Sequence, residues 1–311
     1  MMSKKLAHFL YYRLFSALFY APLIAPLRGV VNRTPFLRVL HRLPVHGVFP
    51  VEGHGLSFLY CADSSDLIGR DIFWKGFETY EPETFAFLVP RIDRETLFID
   101  VGANTGLFSL AASARDAAHV IAAEPLRRIF DCLSANITTN GRQSRTTLIA
   151  AALGSQDGEA VLSDPGGYVF PTSASLMEGG WRGMGGTEVT VPLKRLDSIL
   201  ASLDPELLEN TRRIIVKIDV EGIEIDVLKG FSKCLADRDV QIIFEANDAE
   251  FLHTAREFLT TIGYKVFQIT QDGLVPADAV VFSPGWNCRN FFAERCGQSR
   301  SRDCLAGEVR A

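Results

Sequence analysis

The chain has 311 residues, 47% hydrophobic and 22% charged, which excludes a disordered or fibrous protein and allows one large or two small domains. Its net charge of −5 is split: residues 1–51 hold Lys4, Lys5, Arg13, Arg28, Arg33, Arg38 and Arg42 and no acid, leaving −12 on the remainder. An acidic body excludes the basic footprint of a nucleic-acid-binding domain. Six scattered cysteines without C-x-x-C spacing argue against zinc and for reduced thiols in a cytoplasmic protein.

From the amino terminus, Leu14 to Leu27 is an uncharged run behind Lys4, Lys5 and Arg13. It falls short of the roughly 20 apolar residues that cross a bilayer, and it holds Pro22 and Pro26. Arg13 also splits the apolar core that a signal peptide needs. Two readings stay open for residues 1–48. One is a basic, apolar segment on an anionic membrane surface, which makes the protein peripheral at the inner membrane face. The other is a helix docked on the protein's own body. Residues 49–296 read as one globular domain, and the tail 297–311 has little to bury and is expected to be flexible.

Within the domain, Glu81 to Leu88 reads as a helix start, with Pro82 in the first turn and Glu81 and Glu83 at the positive end. Strands are expected at Leu97–Val101, His119–Ala123 and Thr147–Leu153, with helices at Leu107–Ala114 and Pro125–Ile137 between them. Residues 158–191 break the rhythm. EGGWRGMGG, 178–186, holds five glycines in nine residues and reads as a mobile loop, flanked by short strands at Ala160–Leu162 and Glu188–Leu193. Helices then follow at Leu196–Leu203 and Pro205–Glu209, a strong strand at Arg213–Val220, a helix at Ile223–Leu228 and a strand at Val240–Ala246. A helix at Ala249–Ile262 and strands at Tyr264–Ile269 and Asn290–Glu294 close the set. Alternating β and α elements imply a parallel sheet with helices on both faces, and such sheets bind ligands beyond the carboxyl ends of their strands.

The residues at those ends carry the chemistry. Asp100-Val-Gly-Ala-Asn-Thr-Gly106 ends the first strand of the alternation. Gly102 and Gly106 permit a tight turn and a close ligand approach. Their G-x-x-x-G spacing is not the three-glycine dinucleotide fingerprint. Asp100 and Asn104 place acceptors at the turn, which suits a ligand bearing an amine and a sulfonium. Strand-to-helix packing alone explains such a turn equally well. Glu124, at the next strand end, can take both hydroxyls of a ribose or simply face a helix dipole. On the strand Arg213–Val220, Lys217 and Asp219 point to one side. A lysine in so apolar a strand needs a partner, and Asp219 is nearest. Glu221 and Glu224 read as capping acids.

HGLSF (54–58), GFETYEPET (76–84), FIDVGANTGLFS (98–109), AAEP (122–125), PLKRLDSIL (192–200), VKIDVEGIEIDVLKG (216–230) and IFEAN (243–247) together resemble the FkbM-type S-adenosylmethionine-dependent methyltransferases. The likeness spans about residues 49 to 295 and leaves the first 48 outside it. It implies a class I methyltransferase (Rossmann-like) fold: a seven-stranded, mostly parallel sheet with one antiparallel strand and helices on both faces. It also implies O-methylation of a hydroxyl on a sugar, a glycan or glycolipid, or a secondary metabolite. Carried over, Asp100, Gly102, Asn104 and Gly106 hold the methionine part of S-adenosylmethionine and Glu124 its ribose, with adenine near Ala151–Leu153.

On this reading Asp219 is the general base or hydroxyl acceptor and Lys217 its orienting partner. Glu245 and Asn247, at the next strand end, contact the acceptor. A magnesium ion on Asp219, Glu245 and Asn247 is the less favoured use of the same side chains. Trp181, in the glycine-rich loop, is a candidate to stack on a sugar face. Two alternatives remain: an oxidoreductase binding NAD or a nucleotide sugar, disfavoured by the glycine spacing, and a non-catalytic, membrane-tethered binding protein retaining the fold.

Overall fold

The computed structural model describes residues 19–164, 187–220, 222–280 and 289–296. Two short helices, α1 (Ala21–Ile24) and α2 (Leu27–Arg33), lead through a 3-10 turn at Pro35–Arg42 into a hairpin of β1 (Gly47–Gly53) and β2 (Leu56–Ala62). The hairpin turn is the two residues His54 and Gly55, both with positive φ (50° and 72°), the geometry whose twist matches that of the flanking strands. Both strands alternate, so Phe49, Val51, Leu56, Phe58 and Tyr60 face the core. Helix α3 (Leu67–Lys75) is capped by Asp66, whose side chain accepts from the Gly69 amide at 2.9 Å. Helix α4 (Pro82–Leu88) follows.

The alternation then begins: β3 (Thr96–Val101), α5 (Leu107–Ala114), β4 (His119–Ala123), α6 (Arg127–Thr139) and β5 (Thr146–Ile149). The expected strand Thr147–Leu153 is divided. Its first part joins the main sheet as β5, and Ala152–Leu153, β6, pairs instead with β8 (Thr187–Lys194) in a three-stranded sheet with β7 (Gly158–Asp164). Helices α7 (Leu196–Ala201) and α8 (Pro205–Glu209) lead to β9 (Arg213–Ile218). Then come α9 (Glu224–Lys229), α10 (Ser232–Asp237), β10 (Val240–Ala246), α11 (Ala249–Thr261), β11 (Tyr264–Thr270), β12 (Gly273–Pro276) and β13 (Arg289–Arg295).

The main sheet runs β12-β11-β13-β10-β9-β3-β4-β5. Strands β10, β9, β3, β4 and β5 are mutually parallel, and β13 runs antiparallel between β10 and β11. The expected seven strands are all present, and β12 adds an eighth by folding back on β11. Apolar clusters cover both faces of the sheet, one built with the amino-terminal elements, α4 and α5, the other with α7 and α9–α11. A strand buried on two faces has no polar side to alternate with, and β3 is buried at all six positions. From β3 the chain steps outward to β4 and β5, then crosses back to β9 on the other side of β3. That reversal opens a crevice at the carboxyl ends of β3 and β9.

Candidate active site

The turn after β3 holds three left-handed residues in five: Gly102 (φ 78°), Asn104 (φ 50°) and Gly106 (φ 92°). The glycines were expected to leave room for a ligand, but a closer constraint is the chain itself. A Cβ on Gly102 would stand 2.0 Å from the Asp219 carbonyl oxygen, and one on Gly106 would stand 2.6 Å from Leu133 Cδ1 of α6. Gly102 lets the ends of β3 and β9 meet, with the Asp219 amide donating to the Val101 carbonyl at 3.0 Å. The Gly102 and Ala103 amides both donate to the Ala123 carbonyl, drawing the end of β4 to the same place.

Glu124 lies under this turn, 5% exposed. Its Oε2 accepts from the Asn104 amide (3.2 Å) and its Oε1 from the Leu126 amide (2.9 Å). Burial pushes its pKa up to about 7, against the pull of those two amides. Asp100, 1% exposed, accepts from Ser109 Oγ at 2.6 Å. Burial raises its pKa too, and Lys217, its register partner on β9, opposes the rise.

Lys217 is 3% exposed, and its Nζ donates to Asp219 Oδ2 at 2.7 Å. The same ammonium stands 4.3 Å from the centre of the Phe108 ring. Burial works against its charge, but Asp219, Glu81 and Asp100 outweigh it and raise its pKa. Burial likewise opposes ionisation of Asp219, yet Lys217 holds it below the usual carboxylate range. Glu245 has the opposite character. Burial, then the neighbouring Asp219, pushes its pKa up to about 10, so it keeps its proton and shares a hydrogen bond with Asp219.

The profile of the Methyltransferase FkbM domain matches residues 100–266, more than half of the chain. The chain belongs to the FkbM methyltransferase family. Methyltransferase sdnD of Sordaria araneosa is 31% identical over 220 residues, covering 64% of this chain and 77% of that protein. Among solved structures, methyltransferase FkbM from Methylobacillus flagellatus KT is 14% identical with a TM-score of 0.40, covering 74% of this chain and 55% of that one. Precorrin-6y C5,15-methyltransferase from Geobacter metallireducens GS-15 is 14% identical with a TM-score of 0.41, covering 69% and 88%.

This FkbM protein is therefore an S-adenosylmethionine-dependent methyltransferase. Asp100, Asp219 and Glu81, with the protonated Glu245, surround the ammonium of Lys217, and Glu124 lies beside Asp100, an acidic set that suits a ligand bearing an amine and a sulfonium. A magnesium ion does not fit. The Lys217 ammonium stands where the cation would meet Asp219, Glu245 keeps a proton, and Asn247 is exposed beyond β10. Among the described residues no group of three or more His, Cys, Asp or Glu could hold a metal ion. Trp181, the glycine-rich loop and Glu221 lie outside the described residues.

Glu81 is the site residue that sequence reasoning missed. It was read as a helix-end acid, and it does sit at the amino-terminal cap of α4, but left-handed at φ 41° and ψ 54°. Its carboxylate faces Lys217 and accepts from Asn290 Nδ2 at 2.8 Å. Asn290 is the β13 register partner of Glu245, so the ring closes across the sheet. Tyr80 stands beside it, its hydroxyl kept un-ionised by burial and by Glu81 and Asp219. A signal was present: Glu-Pro occurs in both YEPET and AAEP, and each carboxylate accepts a hydrogen bond near the strand ends, from Asn290 and from the Asn104 amide.

Proposed function

We propose that the enzyme is an O-methyltransferase whose acceptor is a hydroxyl of a sugar, glycan, glycolipid or secondary metabolite. The observation that carries this reading is the Lys217–Asp219 pair: the lysine is 3% and the aspartate 24% exposed, so an acceptor reaches the carboxylate and not the ammonium. An ionised carboxylate only accepts hydrogen bonds, which suits O–H donors. Asp100, Gly102, Asn104 and Gly106 would hold the methionine part of the cofactor and Glu124 its ribose hydroxyls. When bound, the cofactor supplies a methyl on a sulfonium, open to in-line displacement. Glu245 and Asn247 border the acceptor side.

The chain's own part is alignment and proton removal. Asp219, held ionised by Lys217 and oriented by the carboxyl of Glu245, accepts the acceptor's O–H hydrogen bond. As the oxygen becomes an ether, its proton passes to Asp219. So weak a base suits a late transfer, when the oxygen has already become strongly acidic.

The test pairs calorimetry with labelled cofactor. Wild type is expected to bind S-adenosylmethionine and its demethylated product but not NAD, and to label a hydroxyl-bearing compound in an extract of the source organism. Asp219→Asn should bind cofactor within about threefold of wild type and lose about 10²–10⁴-fold in turnover. Near-normal turnover in that variant would remove Asp219 from the mechanism, and label on nitrogen or carbon would overturn the hydroxyl reading.

A further inference from the structure

Nine large apolar side chains are exposed among the described residues, and six of them, Tyr20, Leu23, Leu27, Val30, Phe36 and Val39, fall within 20 positions of the amino-terminal segment. Clustering of this kind marks a contact surface, whereas single exposed apolar residues are ordinary. The exposures are large: 71% for Leu23, 78% for Phe36 and 63% for Val39. The other side of the same segment is anchored. Ala21, Ile24 and Val31 are 0–7% exposed within the main core cluster, and Arg28 lies 5.3 Å over the Phe73 ring. The segment is thus docked on the body and still presents an apolar face, so the two sequence readings are not exclusive.

Charge indicates what that face meets. Arg33 and Arg42 are exposed beside it, and residues 1–51 contain no acid, while the rest of the chain carries −12. A segment that carries arginines and no acid among its exposed apolar side chains matches a negatively charged lipid surface. The net-negative remainder of the chain is repelled by that surface, which favours approach through this segment. No helix among the described residues is long and apolar enough to cross a membrane. We infer that the face formed by Leu23, Leu27, Val30, Phe36 and Val39 docks the enzyme on an anionic lipid bilayer. This assignment is independent of the acceptor and of the hydroxyl chemistry.

Flotation of the full chain with phosphatidylcholine vesicles, with and without about one-third phosphatidylglycerol, tests it. Wild type should float with the anionic vesicles, at least tenfold less with the neutral ones, and less again in high salt. The variant Leu27→Gln/Val30→Gln/Phe36→Gln removes the apolar face without changing charge, and Arg33→Gln/Arg42→Gln removes charge without touching that face. Each should lower anionic-vesicle binding at least tenfold while keeping wild-type melting and S-adenosylmethionine binding. Wild type remaining at the bottom with anionic vesicles would overturn the assignment. So would triple-Gln and double-Gln variants that float like wild type. Concentration-dependent dimerisation abolished by the triple variant, without vesicle binding, would also overturn it and assign the face to a second copy of the chain.

Discussion

Glu124 shows how one buried carboxyl ties pH to both stability and ligand binding. Its pKa is about 7 in the fold, above the ordinary glutamate value of 4.5, because burial disfavours the charge. A raised pKa means that the fold prefers the protonated form. The stabilisation is complete below about pH 4.5 and is lost as pH rises through about 7. Between pH 5.5 and 8.5 the ligand-free enzyme should lose about 2 kcal/mol through this residue. Urea unfolding should show that slope in wild type and a shallower one in Glu124→Gln. On the proposed ribose-binding role, cofactor affinity should run the other way, rising with pH in wild type and flat in the variant, because an ionised carboxylate is the better acceptor of hydroxyl hydrogen bonds. Equal pH slopes in the two proteins would remove Glu124 from both roles. The two turn glycines separate as cleanly. Gly102→Ala sets a Cβ against the Asp219 backbone, and Gly106→Ala sets one against the end of a leucine side chain that can yield. Both carry the cost of a left-handed alanine, about 1 kcal/mol, but Gly102→Ala should lower the melting temperature far more and loosen cofactor binding with it. The reverse order would place the strain of the turn at α6.

At the scale of elements, the amino-terminal hairpin is bolted to the turn after β3 by side chains rather than by strand pairing. Asn136 on α6 donates to the Thr105 carbonyl at 2.8 Å and accepts from the Cys61 amide of β2 at 2.6 Å. Thr105 Oγ1 lies 2.6 Å from the Tyr60 hydroxyl, which donates to Asp66 at 2.8 Å. Asn140 repeats the clamp on the Leu59 amide and carbonyl. Asn136→Ala strips a partner from one buried and one part-buried backbone group, at about 1–3 kcal/mol each. Urea unfolding should show about 2–4 kcal/mol of destabilisation and calorimetry a weaker cofactor affinity. Loss of stability with unchanged affinity would show that the hairpin does not support the turn. The Asn136 link was not legible in the sequence, because nothing local marks a helix asparagine as the partner of a strand 75 residues earlier. The β–α alternation was legible, since Val240–Ala246 and Leu107–Ala114 carry their apolar content within a few neighbouring residues. The pairing of β6 with β8 was not, because Ala151–Leu153 continues the apolar run of β5 and only tertiary packing divides it. The ring of Glu81 and Asn290 was hidden for the same reason: its members lie 209 residues apart.

At the scale of the whole molecule, the amino-terminal segment and the methyltransferase sheet share one core. Ala21, Ile24, Val31 and Val45 lie in the cluster that also holds Phe73, Phe85 and Phe108, and Phe108 is the ring against which Lys217 rests. The Trp74 indole donates to the Leu43 carbonyl at 3.0 Å, and Tyr20 bridges to His46 at the start of the hairpin. This continuity separates two roles that a simple truncation would confuse. Removing residues 1–48 deletes the apolar face, but it also uncovers Trp74 and Phe73 and takes away four buried apolar side chains. Each large apolar side chain of the body left without its cover forfeits up to about 1.5–3 kcal/mol, against a total stability of only about 5–15 kcal/mol. The truncated chain should therefore unfold at a clearly lower urea concentration than the full chain, or aggregate, and should bind S-adenosylmethionine more weakly although no cofactor residue has been removed. The Leu27→Gln/Val30→Gln/Phe36→Gln variant, altered only at exposed positions, should match the full chain in both measurements. Equal unfolding midpoints for the truncated and full chains would show instead that the segment is carried by the domain without supporting it.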